Sequence, residues 1–244
     1  MHYLGVIPAR YQSMRFPGKP LVEIAGIPMI NRVYQQGLKS KILNEVVVAT
    51  DSKIIYDHCL NANMQVIMTS DTHQSGTDRV SEVARRYESD VVVNIQGDEP
   101  FIPPDYIDSL CAQFKSIKTE ITTLIAPILD AQALDDANTV KVVKRNDGRA
   151  LYFSRASIPY QRNLDFTMQS FRHLGIYAFR RETLLKLADL AQGKLEQFEM
   201  LEQLRWLEAG FDIVTVEVEK APIGVDVPED VVKLEKWMKE NALR

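Results

Sequence analysis

Apolar residues follow two different patterns along the chain, and the change falls near the middle. In the first half, short runs rich in valine and isoleucine alternate with segments whose apolar residues recur every three or four positions. The runs predict buried strands, and the segments predict amphipathic helices. Because buried strands joined through helices pair in parallel, this half predicts a Rossmann-like open, mostly parallel α/β sheet with helices on both faces. The predicted strands are residues 3–8, 44–51, 65–68 and 90–103, the last one broken by Gly97, and the predicted helices are 28–40, 52–62, 77–88 and 104–117.

In the second half, apolar and polar residues alternate one by one. This period of two predicts half-buried antiparallel strands, and Asn146-Asp147-Gly148 is a hairpin turn signal. No repeat or linker interrupts the chain, so we expect a single domain, residues 1–244, with an antiparallel insertion at about 120–215. The predicted strands are 120–128, 171–181 and 212–219, with a hairpin in 139–155, and the predicted helices are 182–190, 195–209 and 228–241.

Charge and composition narrow the class of protein. The formal net charge of the 244 residues is −4, which argues against nucleic acid as a partner. No apolar run reaches the roughly 18 residues that a membrane helix needs, and the first residues lack the features of a secretory signal. Cys59 and Cys111 are too few for a disulfide framework and suit core positions in a reducing compartment. We therefore expect a cytoplasmic protein without membrane contact.

Three cations stand in the loop after the first predicted strand, in the stretch VIPARYQSMRFPGKPL at residues 6–21. Arg10, Arg15 and Lys19 have no acidic residue among them, because the first acid of the chain is Glu23. In an open α/β sheet this loop lies at the carboxyl end of a strand, where ligands bind. Cations at that place suit clustered phosphate oxygens. The glycine patterns of a P-loop and of a dinucleotide fold are absent, so a nicotinamide oxidoreductase is a poor match.

Two acidic residues in loops suit a divalent metal ion. Asp98 follows the strongest apolar strand, in VVNIQGDEP, and Asp226 lies in GVDVPED near the end of the chain. Mg²⁺ is usually held by one or two carboxylates together with substrate phosphates. The two residues are far apart in the sequence, so only the fold can bring them together.

Other polar positions have both a structural and a functional interpretation. The loop THQSGTDR, residues 72–79, combines hydroxyl groups with a tight turn, and Thr77 also suits the cap of the next helix. His173 lies between apolar residues of a predicted strand, where a histidine is more often structural than catalytic. The predicted helix 195–209 has an apolar stripe from Leu195 to Leu207, and the charges beside it suit a solvated face.

Taken in order, eight motifs resemble those of the 3-deoxy-manno-octulosonate (Kdo) cytidylyltransferases. They are IPARYQSMRFPGKPL, VVVATD, THQSGTDR, VVVNIQGDEPFIP, ALYFSRASIPY, RHLGIYAFR, FEMLEQLRWLEAG and PIGVDVPED. Single motifs recur in other sugar nucleotidyltransferases, but the ordered set spans nearly the whole chain and is specific. Two neighbours of motif residues depart from the family pattern: Ser52 stands where an acid is common, and Val227 where threonine is common.

The resemblance implies a fold of the nucleotide-diphospho-sugar transferase type, a homodimer, and the reaction CTP + Kdo → CMP-Kdo + pyrophosphate with Mg²⁺, which activates Kdo for lipopolysaccharide biosynthesis. Asp98 and Asp226 would hold the metal and, with Arg15 and Lys19, form the implied catalytic set. The implied CTP-binding residues are Ala9, Arg10, Arg15, Lys19, Ser75, Gly76, Gln96 and Asp98. The implied sugar-binding residues are Arg79, Gln96, Arg155, His173, Tyr177, Glu202 and Gln203.

In the implied reaction the anomeric hydroxyl of Kdo attacks the α-phosphorus of CTP in line, and the protein mainly positions the reactants and neutralises charge. No separate general base is assigned, and Asp98 would act directly or only through the metal. A related cytidylyltransferase, acting on 8-amino-Kdo or sialic acid, is one alternative. A non-catalytic nucleotide-binding module is another, although the retention of both acids and all three loop cations argues against it. We expect the dimer interface in the antiparallel half, around Leu195 to Trp206.

Overall fold

The computed structural model describes residues 1–12 and 16–241, so Arg15 lies outside the described residues. The chain divides into two compact units, one formed by residues 1–111 with 222–244 and the other by residues 112–221. The second unit contains the predicted insertion and a few residues on either side of it. The description of the whole chain as a single domain stays a prediction.

The strands and helices follow the predicted order. The first stretch of the chain contains β1 (Tyr3–Ala9), β2 (Glu23–Ile24), β3 (Ile27–Pro28), α1 (Met29–Leu38), β4 (Glu45–Thr50), α2 (Lys53–Asn61), β5 (Val66–Met68), α3 (Gly76–Arg86), β6 (Val91–Asn94) and α4 (Pro104–Ala112). The remainder contains β7 (Ile121–Pro127), α5 (Ala131–Asp135), β8 (Lys141–Lys144), β9 (Ala150–Ser154), β10 (Phe171–Arg180), α6 (Arg181–Ala188), α7 (Lys194–Glu199), α8 (Gln203–Glu208), β11 (Ile213–Glu217) and α9 (Pro228–Glu240). Helix α9 belongs to the first unit.

The first unit is built on four parallel strands in the order β6-β1-β4-β5. Their valine runs are fully buried, as at Val47 and Val48 of β4 and Val92 of β6. All four strands end at the same edge, because they are parallel. The loops after β1, β4, β5 and β6 therefore emerge together, and these are the loops in which the sequence predicts ligand contacts.

The second unit is mainly antiparallel. Its strands pair in the order β11-β7-β10-β8-β9, with β11 parallel to β7 and the other pairs antiparallel. The predicted hairpin is present between β8 and β9, where the Arg145 N–H donates to the Arg149 carbonyl at 2.7 Å. The predicted fold class, a parallel α/β sheet with an antiparallel insertion, is thus confirmed.

Two predictions of secondary structure are wrong. The strand predicted at 90–103 ends at Asn94, since the backbone after Ile95 leaves the sheet and the Asp98 carbonyl accepts from the Val225 N–H at 2.9 Å. The helix predicted at 195–209 is two helices, α7 and α8, because Met200 has a left-handed φ of 54°. The apolar stripe is interrupted as well, with the Phe198 side chain 89% exposed.

The cysteines occupy core positions, as predicted. Cys59 and Cys111 are free thiols buried in the first unit. Burial raises the pKa of each to about 12, with a smaller contribution from Asp108 at Cys111. Both thiols are therefore unreactive at neutral pH. None of the helices in the described part of the chain combines the length and apolar character that crossing a membrane requires.

Candidate active site

Lys19 lies between two acidic loops of the first unit. Its Nζ is 2.8 Å from Asp98 Oδ2 and 3.6 Å from Asp226 Oδ1. It also donates to the Val225 carbonyl at 3.0 Å. The fold therefore pairs the two carboxylates that the sequence could only nominate separately. We call Lys19, Asp98 and Asp226 the Lys19 cluster.

Backbone contacts hold the two acidic loops of the Lys19 cluster together. The Val225 N–H donates to the Asp98 carbonyl, while the N–H groups of Asp226 and Val227 both donate to Asp230 Oδ2, at 3.0 and 3.2 Å. Asp230 caps α9, so the start of that helix fixes the backbone at Asp226. The cluster is thus defined by backbone geometry as well as by its ion pairs.

Close packing explains the glycine in the loop that carries Gln96 and Asp98. A Cβ atom at Gly97 would lie 2.9 Å from the Pro8 carbonyl oxygen, closer than a carbon atom can approach without displacement. The loop therefore passes against β1 at a point where only glycine fits. Ala9, the last residue of β1, is 2% exposed, so its methyl group belongs to the core.

Arg10 connects β1 to the loop before α3. Its Nη2 donates to the carbonyls of His73 and Ser75, at 2.7 and 3.1 Å. Burial and the nearby Arg79 lower the pKa of Arg10, while Asp51 and Asp78 raise it. The guanidinium still carries its charge at neutral pH, since its ordinary pKa is above 12.

Helix α3 begins at Gly76, and Ser75 caps it. The Asp78 N–H donates to Ser75 Oγ at 3.1 Å, and the Ser75 N–H donates to Asp78 Oδ2 at 3.0 Å. The prediction that Thr77 caps this helix is wrong, because the helix starts one residue earlier and Thr77 is buried. The backbone around Ser75 and Gly76 is thus held in place at the edge where the parallel strands end.

Arg79 lies beneath this loop. Its side chain is fully buried, its Nη2 donates to Asp51 Oδ2 at 2.6 Å, and its Nη1 donates to the Thr69 hydroxyl. A buried charge needs such a partner, because the cost of desolvating it is several kcal/mol. The structure gives Arg79 a supporting position, and its contact with the sugar stays a prediction.

In the second unit, His173 is enclosed by aromatic and apolar groups. Its ring is 5.0 Å from that of Phe153 and 5.3 Å from that of Tyr177. Burial, with a smaller contribution from Arg172, lowers the pKa of His173 to about 3, so the ring is neutral at pH 7. The Thr123 hydroxyl donates its one hydrogen to the Ile176 carbonyl at 2.8 Å. In its 3.0 Å contact with His173 Nε2 the hydroxyl oxygen must therefore accept, so Nε2 carries the N–H. This leaves His173 Nδ1 as an acceptor.

Two polar groups of the second unit are buried without hydrogen bonds of good geometry in the described part of the chain. They are the hydroxyl of Tyr177 and the Nε2 group of Gln203, and both residues are 5% exposed. Burial and the nearby Glu202 raise the pKa of Tyr177 well above its ordinary value, against a smaller opposing effect of Thr123. The hydroxyl is therefore protonated and able to donate. His173 and Tyr177 are in contact, and the resemblance adds Gln203 to them as a sugar-binding residue; we call these three residues the Tyr177 cluster.

Arg155 and Glu202 lie at the ends of α7 and α8. Arg155 donates from Nε to the Glu199 carbonyl at 2.8 Å and from Nη1 to the Ala137 carbonyl at 2.9 Å, so its guanidinium joins the end of α7 to the segment between α5 and β8. Glu202 stands at the N-cap of α8, with its carboxylate 3.9 Å from Arg205 Nη2. Their contacts with a sugar stay predictions.

The donor set of the Lys19 cluster fits a hard divalent cation. Two carboxylates face one ammonium group, so the cluster has an excess negative charge, and the side chains of Asp98 and Asp226 are 34% and 59% exposed. No group of three or more His, Cys, Asp and Glu side chains in residues 1–12 and 16–241 could hold a metal ion. A metal here would take its other ligands from substrate and water, as Mg²⁺ commonly does.

Sequence reasoning missed two supporting residues. Glu82 accepts from the loop before α3, and the fully buried Lys141 donates to the carbonyls of Asp136 and Thr139 at 2.9 and 2.7 Å. Asp51, at the end of the predicted strand 44–51, was expected at the ligand-binding edge without an assigned partner, and the structure pairs it with Arg79. The spacing of Arg79, Glu82 and Arg86 on one face of α3 could have indicated that Glu82 makes ion pairs. No such spacing indicates that Lys141, in an alternating strand, is buried.

Comparisons with known proteins show which class of enzyme this chain is similar to. The family model described as Cytidylyltransferase matches residues 4–216. A solved structure of CMP:2-keto-3-deoxy-manno-octonic acid synthetase complexed with CTP is 40% identical, covers 99% of this chain and 100% of that one, and superposes with a TM-score of 0.95. The structure of a cytidylyltransferase from Leptospira borgpetersenii shares the fold. It is 17% identical, covers 99% of this chain and 95% of that one, and superposes with a TM-score of 0.63.

Curated relatives narrow the class further. The 3-deoxy-manno-octulosonate cytidylyltransferase of Syntrophotalea carbinolica is 44% identical over 98% of this chain and 99% of its own. The protein of the same name from Lawsonia intracellularis is 47% identical over 94% of this chain and 91% of its own. The chain belongs to the 3-deoxy-manno-octulosonate cytidylyltransferase family, as its motifs predict.

Proposed function

We propose that this chain transfers CMP from CTP to the anomeric hydroxyl of Kdo, giving CMP-Kdo and pyrophosphate and activating Kdo for lipopolysaccharide biosynthesis. The observation that carries the proposal is the Lys19 cluster, in which Asp98 and Asp226 meet around one ammonium group at 2.8 and 3.6 Å. Family membership supplies the identity of the nucleotide and the sugar, since relatives named for this reaction align over nearly their whole length.

The first unit would hold the nucleotide. Lys19, Arg10 and Arg15 supply positive charge for the triphosphate, and the fixed backbone at Ser75 and Gly76 lies where a base can be read through main-chain groups. Gln96 lies in the same loop as Asp98 and would contact nucleotide or sugar. In this arrangement Lys19 exchanges its bond to Asp98 for one to a phosphate oxygen.

Asp98 and Asp226 would hold Mg²⁺, which when bound supplies a Lewis acid for the α-phosphate and lowers the pKa of the attacking hydroxyl. The protein's own contribution is positional. The contacts of Val225 with Asp98 and of Asp230 with Asp226 fix the backbone at the two acidic residues, and Lys19 offsets part of their negative charge in the absence of substrate. We assign no separate general base.

The second unit would hold the sugar through the Tyr177 cluster. A protonated Tyr177 hydroxyl and the Gln203 Nε2 group offer donors, and His173 Nδ1 offers an acceptor. A polyhydroxylated acid supplies the complementary groups. Buried polar groups without partners are costly, so a ligand that satisfies them gains both affinity and specificity.

The test is a pyrophosphate-release assay with CTP, Mg²⁺ and a panel of Kdo, 8-amino-Kdo and sialic acid, each run beside Asp98→Asn. The proposal expects release with Kdo and strongly reduced release from the variant. A strong preference for 8-amino-Kdo or sialic acid would move the assignment to a related cytidylyltransferase. CTP binding without turnover of any acidic sugar would favour a nucleotide-binding module.

We also propose that the protein is a cytoplasmic homodimer. Phe198 and Met200, at the junction of α7 and α8, are 89% and 76% exposed, which is unusual for large apolar side chains unless a partner covers them. The free thiols of Cys59 and Cys111 suit a reducing compartment. Light scattering should give twice the chain mass of 27.8 kDa, and a monomer mass independent of concentration would refute the dimer.

A further inference from the structure

The segment from Ser70 to Ser75 joins β5 to α3 and is held from two sides. On one side Arg10 Nη2 donates to the carbonyls of His73 and Ser75, at 2.7 and 3.1 Å. On the other side the segment is bonded to Glu82, in the second turn of α3. We call residues 70–75 the α3 loop.

Glu82 binds the α3 loop at two points. Its Oε2 accepts from the Ser70 N–H at 2.9 Å and from His73 Nε2 at 2.5 Å. The side chains of Glu82 and His73 are only 17% and 18% exposed, so these bonds are shielded from water. Burial opposes ionisation of Glu82, but the bonds from Ser70 and His73, with the charge of Arg86, hold its pKa below the ordinary value. The carboxylate is therefore charged at neutral pH.

His73 links the two anchors of the α3 loop. Its ring is bound to Glu82 while its carbonyl oxygen is bound to Arg10. The conformation of one residue is thus fixed at both its side chain and its backbone. Among the residues that the structure describes, loss of Glu82 would leave the bond from Arg10 to hold His73. The loop carbonyls could then shift.

We propose that Glu82 is a positioning residue that sets the selectivity of the α3 loop for cytosine, an inference that rests on the proposed function. Cytosine presents an amino donor and a ring-nitrogen acceptor, whereas uracil presents a carbonyl acceptor and a ring N–H donor. A loop that reads the base through backbone groups rejects uracil only while those groups stay in place, because the mismatch must leave a buried polar group unpaired. Glu82 fixes the loop without touching the nucleotide.

The test compares Glu82→Ala with Arg86→Ala by steady-state kinetics with CTP, UTP and Kdo. Arg86→Ala is a matched control, because it removes a 49% exposed partner of the same carboxylate and leaves the bonds to Ser70 and His73. We expect Glu82→Ala to raise the KM for CTP about tenfold and to lower the preference for CTP over UTP about tenfold. Each tenfold change is the size expected from losing one hydrogen bond to a charged group. The KM for Kdo should stay within twofold, and Arg86→Ala should stay within twofold in all three constants.

A purely structural role would lower the melting temperature but leave the CTP-to-UTP ratio as in the wild type, and that result in a folded variant would overturn the inference. If Glu82→Ala does not fold, Glu82→Gln replaces it, with the same ratio expected to fall about threefold. Absence of turnover by the wild type with CTP and Kdo would count against the proposed function. Calorimetric binding of CTP and UTP to wild type and variant would then decide the loop inference separately.

Discussion

The Lys19 cluster and the Tyr177 cluster differ in how their polar groups are satisfied before any ligand arrives. In the Lys19 cluster every group is charged, and the ammonium contacts two carboxylates and the Val225 carbonyl. In the Tyr177 cluster the groups are neutral, His173 and Tyr177 pack against aromatic rings, and the Tyr177 hydroxyl and Gln203 Nε2 have no hydrogen bond of good geometry in the described residues. Under the proposed function, a nucleotide would have to displace internal contacts in the first unit, whereas a sugar would complete missing ones in the second.

This difference predicts opposite costs of mutation. Removing Lys19 leaves two carboxylates without their cation, and removing either carboxylate removes a ligand of the proposed metal, so each change should affect ligand binding and chemistry strongly. Removing a polar group that lacks a partner affects ligand recognition but costs the folded protein little.

The largest effect is expected for Asp98→Asn and Asp226→Asn. Each change removes a negative charge needed to hold the proposed metal, so turnover with CTP and Kdo should fall by about two to four orders of magnitude. The melting temperature should change little, because both side chains are partly exposed. Glu88→Gln, which removes an exposed carboxylate from the same unit, is the control. Near-normal rates at saturating Mg²⁺ would exclude the two residues as ligands.

Lys19→Met tests whether the ammonium competes with a metal for the two carboxylates. Without nucleotide, the variant should bind Mn²⁺ about tenfold more tightly than the wild type, since a nearby positive charge is removed. Its turnover should still fall at least about a hundredfold, because the phosphates lose a cation. Titration followed by electron paramagnetic resonance measures the affinity, with Lys19→Arg as the charge-preserving control. Equal Mn²⁺ affinities of Lys19→Met and wild type would contradict the competition.

His173 should make stability depend on pH. Its pKa is about 3 in the folded protein and 6.5 when exposed, so the unfolded chain binds one more proton between these values. The contribution is fully present above pH 6.5 and is lost as pH falls toward about 3, by at most about 1.4 kcal/mol per pH unit. Denaturant unfolding of wild type and His173→Gln from pH 4 to pH 7 measures it. The free energy of unfolding should fall less steeply in the variant, and parallel curves would show that His173 is not buried in its neutral form.

Tyr177→Phe should have the smallest effect on the fold and a selective effect on the sugar. The KM for Kdo should rise about tenfold, as expected for one lost hydrogen bond, while the KM for CTP stays the same. The free energy of unfolding should change by less than about 1 kcal/mol, because among the described residues the hydroxyl makes no hydrogen bond of good geometry. A loss of stability above that, measured by denaturant unfolding, would show that the hydroxyl has a structural partner.

The sequence predicted the order of strands and helices because burial on both faces leaves a continuous apolar pattern, as in β4 and β6. The pattern failed where irregular backbone decides the structure. Met200 divides α7 from α8 through one left-handed residue, and the carbonyls of Glu199 and Met200 find a partner in Arg155, which is distant in sequence. No local periodicity records such a contact.

In the candidate site, too, the sequence did not predict which distant residues lie in contact. Lys19, Asp98 and Asp226 were each conspicuous in the sequence, because charged residues follow buried strands in all three loops. Their pairing is a property of the fold, since it depends on the bond between Val225 and Asp98. Glu82 was missed because a single carboxylate on a helix usually lies in solvent. Asp51 was expected at the same edge, but its pairing with Arg79 is again a property of the fold.

Phosphorus NMR of the reaction shows whether the protein transfers CMP from CTP to Kdo. With CTP, Kdo and Mg²⁺, transfer should give equal amounts of pyrophosphate and one new phosphodiester, with no release of free CMP at early times. Formation of CMP with pyrophosphate, or of CDP with inorganic phosphate, would show hydrolysis in place of transfer and would refute the proposed function.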